Sequence, residues 1–305
     1  MLAPHSTQAD QTKFLFWLMI GIASGVFVVY IGLLFYAMFR RSTQPSRFER
    51  SPASAISFVL IAGALIPLML LIVVFTYSIR GLAAEQLSSG DPIDIQVVGH
   101  QYWWEVKYPG ANGFATANEI HIPVGREVVF HVTAADVIHS FWVPQLAGKI
   151  DAIPGQDNTL KVKATSAGSY LGHCAEFCGD QHAHMQFLVV AEPDSDYNAW
   201  VQGQQAHAAT PNSDEALRGQ QVFLGSACVY CHAVRGTNAS GTLGPDLTHL
   251  ASRSQLAAGT IPNNIGGLAG WITNPQSIKP GVLMPPTQLS SEDLQSLLAY
   301  LMTLK

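Results

Sequence analysis

Charge is scarce in this chain: Asp, Glu, Lys and Arg make up 12% of its 305 residues, against 48% for the apolar types. A soluble protein carries about a quarter charged residues, so part of this chain is not built for water. Cysteine is scarcer still, with four in all, which excludes a disulfide-rich scaffold. The net charge is −5 and basic residues cluster in one short loop only, which argues against a nucleic-acid partner. No internal repeat or low-complexity tract occurs.

The shortage of charge is concentrated near the start. Residues 14–39 and 53–78 contain no Asp, Glu, Lys, Arg or His, and each run exceeds the roughly 20 residues that cross a bilayer. Two transmembrane helices are expected, over about 14–39 and 53–79, within an N-terminal segment ending near 90. The first run is too long for a signal peptide, and Pro67 inside the second is tolerated where neighbouring helices re-satisfy the backbone. The connecting RRSTQPSRFER holds Arg40, Arg41, Arg47 and Arg50, and short arginine-rich loops stay cytoplasmic. Both termini are therefore expected on the outer side. With no ionisable residue inside the spans, the hairpin reads as an anchor without cofactor ligands or a proton relay.

From residue 91 the texture changes to apolar–polar alternation: IDIQVVGHQYWWEVKY, EIHIPV, EVVFHVTA, TLKVKA and MQFLVVAE, separated by Gly, Pro and Asn. That spacing predicts an all-β sandwich over 91–192. Residues 193–212 lose the alternation and read as a linker with one short helix near 197–204. The last segment, 213–305, has helical texture. Ser213 caps its first helix, Ser290 and Asp293 form a capping box, and Leu294, Leu297, Leu298 and Leu301 recur with helical period.

The densest chemistry is GHCAEFCGDQHAHM at 172–185, where Cys174, Cys178, His182 and Met185 follow a C-x3-C-x3-H-x2-M spacing. Thiolate, imidazole and thioether together select copper; zinc has little use for the thioether. A Cys174–Cys178 disulfide would leave His182 and Met185 unexplained. His184 is expected to point away from Met185 and His173 opposite to Cys174. A further ligand from a distant strand end is best supplied by His139, expected in a loop after EVVFHVTA with Phe141 and Trp142 as an apolar shell. His121 and His131 fall within strands and read as surface or core residues.

DVIHSFWVP, KIDAIPG and GHCAEFCGDQHAHM, with the hairpin ahead of them, resemble cytochrome c oxidase subunit II over roughly 14–205. The resemblance implies a cupredoxin domain with the binuclear copper centre CuA. In it Cys174 and Cys178 bridge two coppers, His139 and Met185 complete one, and His182 with the Glu176 carbonyl completes the other. It also implies magnesium at the Glu176 side chain, at the interface with subunit I. Tyr102, Trp103 and Trp104 stand in the family's aromatic patch for electron transfer, with Tyr102 in place of the usual tryptophan; Gln156 stands where the family commonly has arginine. Glu49 lies near a position where the family can supply a proton-channel carboxylate, but a plain solvated loop is the preferred reading of it.

A second redox motif follows. Cys228, Cys231 and His232 form C-x2-C-H, the covalent attachment signature of c-type haem: two thioethers fix the ring and the next residue supplies the proximal imidazole. The sixth ligand is expected to be Met284, in the proline-braced loop KPGVLMPP, rather than Met302 or His249. GPDL, WITNPQSIKPG and the closing helix resemble all-α class I cytochromes c over about 90 residues, which implies that Pro245 accepts a hydrogen bond from the proximal histidine and that Trp271 packs near the haem.

Subunit II fused to cytochrome c is the arrangement of caa3-type haem-copper oxidases. The resemblance thus implies the electron-input subunit of such an enzyme in a bacterial plasma membrane, with the redox domains outside. Electrons would pass from a cytochrome c or quinol-oxidising complex through haem c to CuA and on to haem a of subunit I, where oxygen is reduced to water. Subunits I and III are the implied partners, and no catalytic residue lies in this chain. Two rival readings are the relay subunit of a CuA-containing nitric oxide reductase and a membrane-anchored copper-delivery or thiol-redox module. A tether of some twenty residues would hold the haem at an effective concentration of about millimolar, so a docking patch for free cytochrome would matter less.

Overall fold

A computed structural model of the chain describes residues 3–40, 52–86 and 91–305. It divides into two units, the first comprising Met1–Pro4 with Gln8–Ser88 and the second His5–Thr7 with Ser89–Lys305.

The first unit is helical. Helix α1 spans Thr7–Phe39, and a second rod runs as α2, Pro52–Leu60, a π-helical turn at Ile61–Leu65, and α3, Ile66–Gln86. The turn lies where Pro67 lacks an N–H and its ring would strike the carbonyl of Gly63 four residues back; widening the helix there relieves the clash. Within 7–39 and 52–82 the most apolar windows bury no residue inside the chain and are long and apolar enough to cross a membrane. Arg41, Arg47, Glu49 and Arg50 lie outside the described residues.

The second unit begins with a sandwich of two five-stranded sheets. One has the order β3-β2-β1-β5-β8, from Phe114–Ala117, Trp103–Tyr108, Ile93–His100, Val128–Ala134 and Asn158–Val162. The other runs β4-β10-β9-β6-β7, from Glu119–Pro123, Gln186–Glu192, Gly168–Cys174, His139–Trp142 and Ile150–Ala152. The β1–β5 and β4–β10 pairs are parallel and the others antiparallel. Period-two alternation turns Ile95, Val97, Phe130, Ile120, Ile122, Phe187 and Val189 inward. Trp104 joins them, fully buried, with Phe141 and Phe187 edge-on to its ring.

Most of the segment read as a linker is ordered: α4, Asp194–Gln205, is longer than the short helix expected. Its Tyr197 and Trp200 pack on the sandwich core, with Trp200 stacked on His121, so apolar side chains that looked incidental in a polar stretch anchor it. A helical domain follows, with α5 at Asp214–Leu224, α6 at Cys228–Cys231, a small hairpin of β11 and β12 at Gln255–Leu256 and Ile261–Pro262, α7 at Ile265–Thr273, α8 at Pro275–Ile278 and α9 at Ser291–Leu301. Ser213 Oγ caps α5 at Ala216 N, and Ser290 Oγ caps α9 at Asp293 N while donating to the Asp293 carboxylate. Leu297, Leu298 and Leu301 are buried against Phe223 of α5 in a separate core.

Candidate metal and haem sites

Loop 174–185 folds back on the end of β9 and collects the donors predicted for it. Cys174 Sγ lies 3.8 Å from Cys178 Sγ, 3.9 Å from His139 Nδ1 and 3.2 Å from the carbonyl oxygen of Glu176. Cys178 Sγ lies 3.8 Å from both His182 Nδ1 and Met185 Sδ. Both cysteines are buried and free of a disulfide. The chain therefore gathers two thiols, two imidazoles, a thioether and a carbonyl around one point, a soft donor set that fits copper. His184 is turned away, its Nδ1 toward Gln181 Oε1 at 2.9 Å.

His139 differs from expectation in one respect: it opens β6 instead of lying in a loop, and pairs with Ala152 of β7. Strand geometry holds it at 0% exposure, edge-on to Trp104. Its Nε2 faces Asp136 Oδ1 at 2.8 Å, which leaves Nδ1 for the metal position. Asp136 also accepts from the backbone N–H groups of Val137 and Gln101, at 2.7 and 2.6 Å. A carboxylate behind a ligating histidine fixes its tautomer and strengthens it as a ligand. Sequence reasoning missed this residue, although its place three before His139 was a signal.

The electrostatics suit a thiolate site. The hydrogen bond with Cys178 lowers the Cys174 pKa to about 3 against the cost of burial, aided by His139 and the Glu176 backbone, while Cys178 is pushed up. The two titrate as one pair in which one thiolate is favoured. Burial opposes charge on His139, yet its hydrogen bonds to Cys174 and Asp136 hold its pKa above the usual value.

The aromatic stretch does not lie open. Tyr102 is 8% exposed, and its hydroxyl accepts from Asp180 N at 3.1 Å. Gly179, at φ +124, packs against that hydroxyl where a Cβ would come within 2.5 Å. Beside it Gln101 Nε2 donates to the Cys178 carbonyl at 2.6 Å. Trp103 stacks on His100, while Trp104 belongs to the core. The Glu176 carboxylate is 46% exposed, with Lys149 Nζ at 3.9 Å. It borders a depression of about 630 Å³ lined by Val137, Ile138, Asp151 and Phe177.

In the helical domain Cys228 and Cys231 sit one turn apart on α6, half-buried and free. His232 Nδ1 donates to the Pro245 carbonyl at 2.8 Å, so Nε2 is the nitrogen available to iron. Burial lowers its pKa and keeps the imidazole in the neutral, ligating form. Gly244 allows this fit, since a Cβ there would stand 2.7 Å from His232 Cε1. Met284 lies half-buried on the edge of this core, held by Gln276 through its carbonyl at 3.3 Å. His249 is differently employed: Nδ1 faces the Lys305 carbonyl and Nε2 the Ala206 carbonyl, at 2.8 and 3.2 Å. Trp271 is half-buried on α7.

Comparison with known proteins agrees with both halves. The family described as cytochrome c oxidase subunit II, periplasmic domain, matches residues 111–192, and the cytochrome c family matches 216–305. The chain is 40% identical over 252 residues to cytochrome c oxidase subunit 2 of Alkalihalophilus pseudofirmus, covering 80% of this chain and 72% of that protein. It is 30% identical over 297 residues to the Bacillus subtilis protein of the same name, covering 90% and 82%. With the protein of Bacillus sp. strain PS3 the identity is 31% over 264 residues, covering 80% and 74%. The chain belongs to the cytochrome c oxidase subunit II family, in a form that carries a cytochrome c domain beyond the cupredoxin domain.

Proposed function

We propose that the chain is the electron-input subunit of a caa3-type oxidase, relaying electrons from an outer-side donor to haem-copper subunit I. The observation that carries this reading is the joint presence of the six-donor cluster and the C-x2-C-H site on one compact unit. Cys174, Cys178, His139, His182, Met185 and the Glu176 carbonyl would hold a binuclear CuA centre; Cys228, Cys231, His232 and Met284 would hold haem c. When bound, these groups supply two one-electron redox centres.

The chain's own part is to hold ligands still and keep water out. Asp136 orients His139, Gln101 and Tyr102 brace the 178–180 loop, and Trp104, Phe141 and Phe187 form the dry wall behind it. The copper-delivery reading assigns no role to Met185 or His182, which point into the cluster all the same. The Glu176 carboxylate, with the exposed Phe177 and Ile138 nearby, is the reading's contact region for subunit I and magnesium. Arg40 and the arginines beyond it support an outward placement of the redox domains. Copper and haem analysis of the purified full chain, with visible spectra before and after ascorbate, tests the proposal. Two coppers and one covalent haem are expected; a Cys174–Cys178 disulfide with no copper would overturn it.

A further inference from the structure

Lys279 is 1% exposed, among the most deeply buried side chains in the second unit. It follows α8 in the helical domain, five residues before Met284, yet its ammonium reaches into the cupredoxin domain. Nζ donates to the carbonyls of Tyr102 and His184, at 2.9 and 2.7 Å, and to that of Ala257 in its own domain at 2.9 Å. Three protons meet three carbonyls, and only an ammonium places three donors on one atom. A buried cation without such partners would be costly. One acceptor precedes Met185 by one residue and another belongs to the braced Tyr102, so the clasp ties the Met284 loop to the two segments that frame the copper cluster.

The surrounding backbone is shaped for the same contact. Ala257 and Ala258 take φ +52 and +55, a left-handed conformation that residues with a Cβ adopt reluctantly and that persists where surroundings over-determine it. Both strained residues present their carbonyls to the junction: Ala257 to Lys279 Nζ, and Ala258 to the Gln186 N–H of β10 at 3.0 Å. Gly259 follows at φ +80, and a Cβ on it would strike Gln186 Cβ at 2.9 Å. Ser254 donates through N and Oγ to Glu119 Oε2 at 3.1 and 2.7 Å.

We propose that Lys279 is a positioning residue that seats the haem-bearing domain in one fixed place on the cupredoxin domain, making the relay a docked step instead of an encounter of tethered partners. The proposal rests on the relay reading above. It also ties Tyr102 to the junction, since the backbone carbonyl of that residue is held by a side chain of the second domain.

Hydrogen exchange of the full chain in detergent tests the seat, because the Gln186 amide bonds across the junction while the Leu188 amide bonds to Asn118 inside the cupredoxin domain. Lys279→Met removes the donors and strands the Tyr102 and His184 carbonyls, while the Ala257 carbonyl keeps Thr260 Oγ1 at 2.7 Å, so protection at Gln186 should fall on the order of tenfold or more with Leu188 unchanged. Haem-to-copper electron passage should slow in the same preparation at unchanged metal content. Wild-type protection at Gln186 would overturn the proposal. Should Lys279→Met not accumulate, Lys279→Arg carries the test, since a planar guanidinium cannot converge three donors from one nitrogen. Reduced protection at Gln186 alone supports the clasp, and wild-type protection overturns it. Loss of protection in a chain that binds no copper would defeat the relay reading and leave the clasp standing.

Discussion

Asp136→Ala isolates the support behind one proposed copper ligand. The wild-type carboxylate accepts from His139 Nε2 at 2.8 Å and from two backbone N–H groups at 2.6 and 2.7 Å. Truncation leaves the N–H of a fully buried imidazole without an acceptor, which costs about 1–3 kcal/mol. Loss of such a partner lowers metal affinity about 10–100-fold, equivalent to about 1.4–2.7 kcal/mol, so one lost bond accounts for the whole effect. Asp136 is 30% exposed, and water entering in its place offsets part of the loss, which puts the expected change nearer the lower bound. Asp136→Asn keeps an oxygen but not the charge and should fall between alanine and wild type. Competition between the full chain and a copper chelator reads the affinity directly. Copper binding by Asp136→Ala within about a factor of two of wild type would refute the assigned support.

Three other changes bear on the haem domain and its seat. Met284→Ala should abolish methionine-type ligation in the visible spectrum while the haem stays covalently attached. His249→Ala should leave that spectrum unaltered and cost about 1–3 kcal/mol in thermal unfolding, because its bonds hold the Ala206 and Lys305 carbonyls. Burial raises the Glu119 pKa, but hydrogen bonds from His121 and Ser254 outweigh it and hold the group below the usual range. A depressed folded pKa stabilises above the unfolded value and is lost as pH falls through the folded one. Glu119→Gln should therefore flatten the acid limb of stability against pH; an unchanged limb would place the acid sensitivity elsewhere.

Much of this was legible because each signal has a short physical range. An uncharged run announces a membrane span, alternation announces a half-buried strand, and ligand spacing announces a loop that must close on itself. Cys174, Cys178, His182 and Met185 are neighbours in sequence, so their convergence needed no tertiary knowledge. The place of His139 after EVVFHVTA, with Phe141 and Trp142 beside it, points it into the site, but its own strand reads as a loop because four residues are too few for alternation to show. The supporting partners were the ones missed. Asp136 looks like an ordinary loop acid until its oxygen is seen against His139, and Lys279 looks like a surface lysine until three carbonyls from two domains surround it. The same holds for 194–205, where Tyr197 and Trp200 turn a polar stretch into an anchored helix only once the sandwich is there to receive them.

In the proposed relay one chain carries a docked donor and acceptor. Reducing haem c selectively with a light pulse in the purified, metal-loaded full chain, and following haem and copper absorbance separately, addresses it most directly. The haem's loss of its electron and the copper's gain should share one rate, independent of protein concentration. A rate that rises with protein concentration, or copper that stays oxidised while the haem is slowly reoxidised from solution, would contradict it.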